Sequence, residues 1–148
     1  MLGKKEYYGA VEEIMLKDWR LESGEKTSPD IKGNGSDGPI IIGTNDMLSI
    51  NITLDSGGSS GEDADWWILA ETPLGWYYYD PKGGSWLPGL SFAYQGPLFD
   101  LSPVEILNIT GLPPGTYTFY FGVDMNMNGS LDLGQLSYDS VGVNIKRR

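Results

Sequence analysis

The sequence predicts an all-β fold, an antiparallel β-sandwich of about seven strands. The 148 residues include 21 glycines, 9 prolines, 5 tryptophans, 9 tyrosines and 4 phenylalanines, a composition that suits short aromatic strands joined by many turns. From Pro39 onward, segments of alternating apolar and polar residues recur between groups of turn-forming residues. The length is sufficient for one domain with its own hydrophobic core.

Seven segments carry the strand pattern: residues 39–42, 48–54, 66–70, 76–79, 104–109, 116–124 and 138–145. The first is short and predicts an edge strand. In the second, apolar residues from Leu48 to Leu54 alternate with polar ones, as in a strand with one buried face. Residues 71–75 predict a hairpin turn, and residues 81–101 predict a long irregular connection.

The first 28 residues differ from the rest, with mixed charges and few glycines, and are assigned to an N-terminal segment and linker. Four residues in it follow a helical spacing: Tyr8, Val11, Met15 and Trp19. The same segment also fits a short hairpin, so both alternatives stay open. Residues 27–38 are rich in turn formers and predict a linker, which could connect a preceding domain to the β-sandwich at 29–148.

Composition also restricts the chemistry. The chain has no cysteine and no histidine, which excludes disulfides, thiol catalysis and the Ser-His-Asp triad. The net charge is −10, and residues 27–145 hold fourteen acidic residues against only Lys32 and Lys82. Such a surface repels nucleic acids and anionic membranes and attracts cations. We therefore expect no nucleic-acid partner and, since no apolar run is long enough, no membrane insertion.

A calcium loop is predicted directly after the strand at 116–124. Oxygen-bearing residues alternate there in the manner of an EF-hand loop: Asp124, Asn126, Asn128, Ser130 (through its backbone carbonyl) and Asp132. Gly129 permits the sharp bend. Gln135 stands where a bidentate glutamate is usual, which predicts weak binding of Ca²⁺, with Kd of roughly 10⁻⁴–10⁻³ M. Asp139 or the acidic residues at 62–65 could supply a further ligand. The alternative is a plain type I′ hairpin at Asn128-Gly129.

The aromatic residues permit a weaker hypothesis, a sugar-stacking site that uses Trp76 and Trp86. Flat rings pair with the apolar faces of pyranoses, and Trp86, in a glycine-rich loop, is the ring expected to be most exposed. Core packing explains most of the other aromatic residues, because alternation must turn one face of each strand inward.

Catalysis is not predicted. The carboxylates at 62–65, 71 and 80 could include a glycosidase pair, but solvated charge explains them, and no nucleophile motif occurs. Four Asn-x-Ser/Thr triplets give weak support for export: they begin at Asn34, Asn51, Asn108 and Asn128. Residues 1–26 are too highly charged for a signal peptide.

A resemblance adds to this interpretation. LPPGTY at 112–117 resembles the corner before a late strand in immunoglobulin-like and fibronectin-III-like sandwiches, in which a tyrosine hydroxyl binds backbone groups. Three longer segments, ADWWILAETPLGWYYYD at 64–80, YQGPLFDL at 94–101 and TYTFYFGVDMNMNGSLD at 116–132, resemble a C-terminal module of large exported microbial proteins. This resemblance covers residues 28–146. It implies an accessory sandwich on a bacterial or archaeal surface or secreted protein, and it carries over no activity to this chain.

The sequence therefore predicts a non-catalytic, calcium-stabilised extracellular module with an accessory, adhesion or structural role, whose partner is a polysaccharide or a cell-surface protein. Two alternatives stay open. One is a carbohydrate-binding module that uses exposed tryptophan and tyrosine. The other is a subunit of a surface filament that self-associates through an edge strand or an N-terminal arm.

Overall fold

Ten β-strands and two single-turn 3₁₀ helices make up the computed structural model, which describes residues 26–147. The strands are β1 (Ser28–Gly33), β2 (Ile40–Gly43), β3 (Met47–Asp55), β4 (Asp63–Thr72), β5 (Gly75–Asp80), β6 (Ser85–Pro88), β7 (Tyr94–Pro97), β8 (Leu101–Thr110), β9 (Gly115–Asp124) and β10 (Leu136–Lys146). The 3₁₀ turns are Gly57–Ser59 and Leu133–Gln135. Within residues 26–147, no helix has the length and apolar character needed to cross a membrane.

The strands form two sheets that face each other. The smaller sheet has the order β1-β3-β8, and the larger has the order β2-β10-β9-β4-β5-β6. Strand β7 belongs to the larger sheet, because it pairs with the first half of β4 while β5 pairs with the second half. All of these pairs are antiparallel except β2, which lies parallel to β10 at the sheet edge.

Alternation along the strands places the core between the sheets. In β9 the inward side chains are Tyr117, Phe119, Phe121 and Val123, all buried as predicted. Val141, Val143 and Ile145 of β10 and the alternate apolar residues of β3 fill the same space. Strand β4 is buried on both faces from Ala64 to Ala70, since the larger sheet carries a second apolar layer on its outer side.

The connection from β8 to β9 crosses from the smaller to the larger sheet, as in immunoglobulin-like sandwiches. At this corner the Tyr117 hydroxyl donates a hydrogen bond of 2.8 Å to the backbone oxygen of Pro113. The predicted all-β, immunoglobulin-like fold class is therefore confirmed. The number of strands is ten rather than about seven, because short strands lie in segments that were predicted to be irregular.

Two of the predicted irregular segments are wrong. Residues 27–38 are not a linker, because residues 28–33 pair along β3 and bury Ile31 and Gly33 against the core. Residues 81–101 are not one irregular connection, since they contain β6 and β7. In both places an available strand edge outweighed the turn propensity of the residues. The helix-or-hairpin prediction for residues 1–26 lies almost entirely outside the described residues.

Candidate metal centre

Two aspartates lie side by side on the outer face of the larger sheet. Asp65 of β4 and Asp124 of β9 are register partners across the two strands. Both are fully buried, with 0 % of their surface exposed. Each belongs to the outward-facing set of its strand, so their burial does not come from the sandwich core. It comes from the β9–β10 connection, residues 125–135, which folds back over them.

Hydrogen bonds tie this connection to the two carboxylates. The carboxylate of Asp124 accepts from the backbone N–H of Asn126 at 2.9 Å and from that of Asp132 at 2.7 Å. The carboxylate of Asp65 accepts from the backbone N–H of Gly129 at 2.7 Å and from the Nε2 amide of Gln95 at 2.7 Å. The backbone of the connection is therefore held to this aspartate pair at Asn126, Gly129 and Asp132.

Within the part of the chain that the structure describes, the pair has no basic neighbour. Among residues 26–147, no lysine or arginine nitrogen lies within 4.0 Å of either carboxylate. Buried charge of one sign is costly unless it is paired or bound to a cation. A carboxylate has about four acceptor sites. Because each aspartate accepts two hydrogen bonds from protein donors, oxygen lone pairs remain that can bind a hard cation.

The other predicted ligands surround the same loop. The Asn126 amide donates to Asp132 Oδ2 at 3.1 Å, and Asn128 Oδ1 accepts from the Ser130 backbone N–H at 2.9 Å. Asp132 is half-buried, whereas Asn126, Asn128 and Ser130 are exposed. Within the loop, Asp132 therefore contacts Asp124 through its backbone N–H, while Asn128 and Ser130 contact each other. Asp65 lies beside Asp124 on the neighbouring strand.

The hairpin alternative does not describe this connection. A type I′ turn requires a positive φ at both central residues. Gly129 has a φ of +80°, but the φ of Asn128 is not positive. Among the described residues, Asn34 is the one non-glycine residue with a positive φ. The connection closes instead through the backbone, where the Met125 N–H donates to the Gln135 oxygen at 3.2 Å.

Asp139, the other candidate for a further ligand, points to the inner side of the sheet. Its carboxylate accepts from the backbone N–H of Ile31 at 3.0 Å. There its oxygens approach those of Asp30 and Asp37 within 4.8 Å, a grouping that could hold a metal ion. Lys32 already lies at this cluster, with Nζ 2.6 Å from Asp37 and 3.1 Å from Asp30. Hydrogen bonds to Asp37 and then Asp30 raise the pKa of Lys32, so its ammonium places one positive charge beside two of the three carboxylates.

The two predicted sugar-binding tryptophans do not form one site. Trp76 is half-buried on the outer face of the larger sheet, where its ring packs against that of Tyr120. Trp86 lies on the inner side, against Phe119, and its Nε1 donates to the backbone oxygen of Ile106 at 3.0 Å. The expectation that Trp86 is an exposed loop ring is wrong, because residues 85–88 pair with β5 and turn the ring into the cleft between the sheets.

Comparison with known proteins adds one distant likeness. No family model matches the chain, and no curated protein is significantly similar to it. A similar solved structure is the CARDB domain of the PF1109 protein of Pyrococcus furiosus, determined in complex with di-metal ions. It shares 14% identity, with a TM-score of 0.43, and the match covers 82% of this chain and 96% of that chain. A likeness at this level assigns neither family nor function.

Proposed function

We propose that this chain is a non-catalytic β-sandwich module of an exported protein, stabilised by calcium bound under the β9–β10 connection. The observation that carries the proposal is the pair of fully buried carboxylates, Asp65 and Asp124, beneath a loop of oxygen donors. A hard divalent cation is the ligand whose chemistry suits that donor set.

Without a metal ion, the two carboxylates of the pair repel each other. Directly opposite residues in antiparallel strands have Cβ atoms about 5 Å apart. Two unit charges at about 5 Å repel by roughly 3 kcal/mol at an effective dielectric constant of 20. Hydrogen bonds from the loop offset part of this repulsion. A divalent cation would remove it and would convert the two charges into ligands.

The residues that would hold the ion are the five loop residues that the sequence predicted, together with Asp65 from the acidic group at 62–65, which the sequence offered as a source of a further ligand. Asp65 and Asp124 supply charge, and the amide oxygens of Asn126 and Asn128, the Ser130 carbonyl and Asp132 complete an all-oxygen set, as calcium requires. Asp65 compensates for Gln135, which replaces the usual glutamate. The function of the ion would be structural, fixing the loop to the sheet.

The exposed acidic residues of the chain support an accessory or adhesive role outside the cell. Glu62, Asp63 and Glu71 are exposed, and none of the three lines either of the two pockets described among residues 26–147. The acidic surface suits a calcium-containing extracellular medium. A polysaccharide or a cell-surface protein is the partner we propose for such a module.

Self-association through β8 has less support than this role. Among the described strands, β8 pairs only with β3, so its other edge has no strand partner from residues 26–147. However, Pro103 and Glu105 interrupt that edge, and a register shift next to Ile106 distorts it. Such features protect edge strands against added strands.

Limited proteolysis with and without chelator tests the proposal. With millimolar calcium, the β9–β10 connection should resist cleavage. In chelator, protease should cut within residues 125–135 while the sandwich stays intact, because its core packs independently of the loop. Identical digestion in both conditions would contradict calcium binding, and complete digestion in chelator would mean that the ion is needed for folding.

A further inference from the structure

A groove of about 230 Å³ opens on the outer face of the larger sheet, beside the aspartate pair. Its lining is largely aromatic and leucine: Trp67, Leu69, Trp76, Tyr120, Gly122, Leu131, Leu133, Leu136 and Tyr138. Gly122 forms the floor, where a Cβ atom would lie 2.8 Å from the nearest atom of β10. The floor therefore depends on the absence of a side chain at this position.

Three rings form a row across this face. Trp76 of β5 and Tyr120 of β9 have centroids 5.7 Å apart, and Tyr120 and Tyr138 of β10 have centroids 6.4 Å apart. Successive planes are tilted by 30° and 48°. Tyr138 is 59 % exposed, and the other two rings are half-buried. A row of partly exposed rings held on strands is a preformed surface for flat, weakly polar groups.

One polar group in the groove lining lacks a partner. Trp67 is 6 % exposed, and its indole Nε1 has no hydrogen-bond partner among residues 26–147. Trp66 shares this property, but it belongs to the core between the sheets. Trp67 also lines the groove, but its Nε1 atom is itself buried, so the residue offers ring surface to a bound molecule and not its N–H.

Charge restricts the ligand further. Lys32 and Lys82 are the only basic residues between positions 27 and 145, and neither lines the groove. Burial raises the pKa of Tyr120, and the nearby Glu71 and then Tyr138 raise it further by charge repulsion. The Tyr120 hydroxyl therefore stays protonated. Acidic surroundings repel anionic ligands.

We propose that this groove binds a neutral glycan, with pyranose rings stacked along Trp76, Tyr120 and Tyr138. Flat rings match the apolar faces of pyranoses, and sugar oxygens provide hydrogen-bond partners for the hydroxyls of Tyr120 and Tyr138. The sugar-stacking site expected from the sequence thus moves from Trp86 to the outer face.

The groove and the calcium loop share residues. Leu131 and Leu133, which form one wall, belong to the connection anchored by Asp65 and Asp124. Leu133 is 76 % exposed, so core packing does not explain its position. Calcium that orders the connection would therefore complete the wall and strengthen glycan binding. This coupling rests on the proposed calcium function, whereas the ring row does not.

Affinity electrophoresis of the full chain tests the proposal, with hydroxyethylcellulose, xyloglucan, laminarin and galactomannan as neutral probes and polygalacturonate as an anionic control. The wild-type protein should be retarded by a neutral probe and not by polygalacturonate. Tyr138→Ala and Trp76→Ala should each weaken retardation about tenfold. Tyr94→Ala, which removes another exposed tyrosine away from the groove, should behave as wild type.

The outcomes separate the alternatives. No retardation by any of the four neutral probes would overturn the proposal, as would retardation that Tyr138→Ala and Trp76→Ala leave unchanged. Concentration-dependent dimerisation abolished by Tyr138→Ala would assign the groove to a second copy of the chain and would also overturn it. Retardation that is equal in calcium and chelator would refute the coupling alone. Melting scans show separately whether calcium binds at all.

Discussion

Replacing Asp65 by asparagine separates a metal-binding role from a hydrogen-bonding role. Without metal, the substitution removes roughly 3 kcal/mol of repulsion toward Asp124, taken at about 5 Å and an effective dielectric constant of 20. It also weakens the bonds from Gly129 and Gln95. The Gln95 amide can turn over and accept from the new amide, so most of the bonding survives. Asp65→Asn should therefore be as stable as wild type in chelator, or up to about 2 kcal/mol more stable.

Calcium should reverse this order. With ion at about 100 times Kd, the wild-type protein gains about 2.7 kcal/mol of unfolding free energy. For a chain of this size, that corresponds to a rise in Tm of roughly 5–11 °C. Asp65→Asn loses a charged ligand and should gain less than about 1 kcal/mol. Thermal melts and urea unfolding in chelator and over a calcium titration up to about 100 mM, which reaches about 100 times the expected Kd, provide the measurement.

Asp63→Asn is the matched control. Asp63 lies two positions earlier in β4, belongs to the same face and is exposed. Its variant should therefore respond to calcium as wild type does. Three results would refute the reasoning: a wild-type melt unaffected by calcium, an Asp65→Asn response equal to that of wild type, or an Asp65→Asn variant at least 3 kcal/mol less stable in chelator, which would indicate that the carboxylate acts mainly through hydrogen bonds.

Three further predictions concern the scaffold. Tyr117→Phe removes the hydroxyl bond to Pro113 and should cost about 0.5–1.5 kcal/mol in urea unfolding at pH 7. Burial raises the pKa of Tyr117 above 10.0, so the contribution of this group to the free energy of unfolding is present below pH 10 and is lost as the pH rises further. The wild-type protein should therefore lose more stability between pH 7 and pH 11 than Tyr117→Phe, and an equal loss in the two proteins would contradict this. Hydrogen bonds from the Ser56 N–H and hydroxyl lower the pKa of Asp100 below 3.8. Asp100→Ala should therefore lower Tm at pH 7, and the difference from wild type should disappear as pH falls through the lowered pKa; a difference that persists at pH 2 would argue for packing instead. Gly122→Ala, whose Cβ would meet β10 at 2.8 Å, should cost about 1–3 kcal/mol, and a wild-type melt would show that the sheet adapts.

The sequence was sufficient for the features that depend on local alternation. Apolar residues at every second position in 48–54, 116–124 and 138–145 can be buried only if those segments are strands with one face inward. The tyrosine corner at Tyr117 was also visible, because it needs only a turn and a tyrosine at a short separation along the chain. The candidate ligands from Asp124 to Asp132 were proposed for the same reason, since they are close in the sequence, and their role as ligands stays a prediction.

Local propensity failed where a partner strand decided the conformation. Residues 27–38 and 81–101 carry turn residues, yet parts of both became strands because the free edges of β3, β4 and β5 offered hydrogen bonds. Trp86 turned inward for the same reason, since pairing of residues 85–88 with β5 fixes the face on which its ring lies.

The sequence by itself determined that the chain forms a sandwich and that one loop collects oxygen donors, because alternation and ligand spacing act between near neighbours. Only the tertiary structure decided that Asp65, far away in the sequence, lies beside Asp124. It also decided that Leu133 lines the same groove as the row of aromatic rings. Both depend on the register between β4 and β9 and on the direction in which the β9–β10 connection folds. Register is set by the packing of the whole sheet, so no single segment of the sequence specifies it.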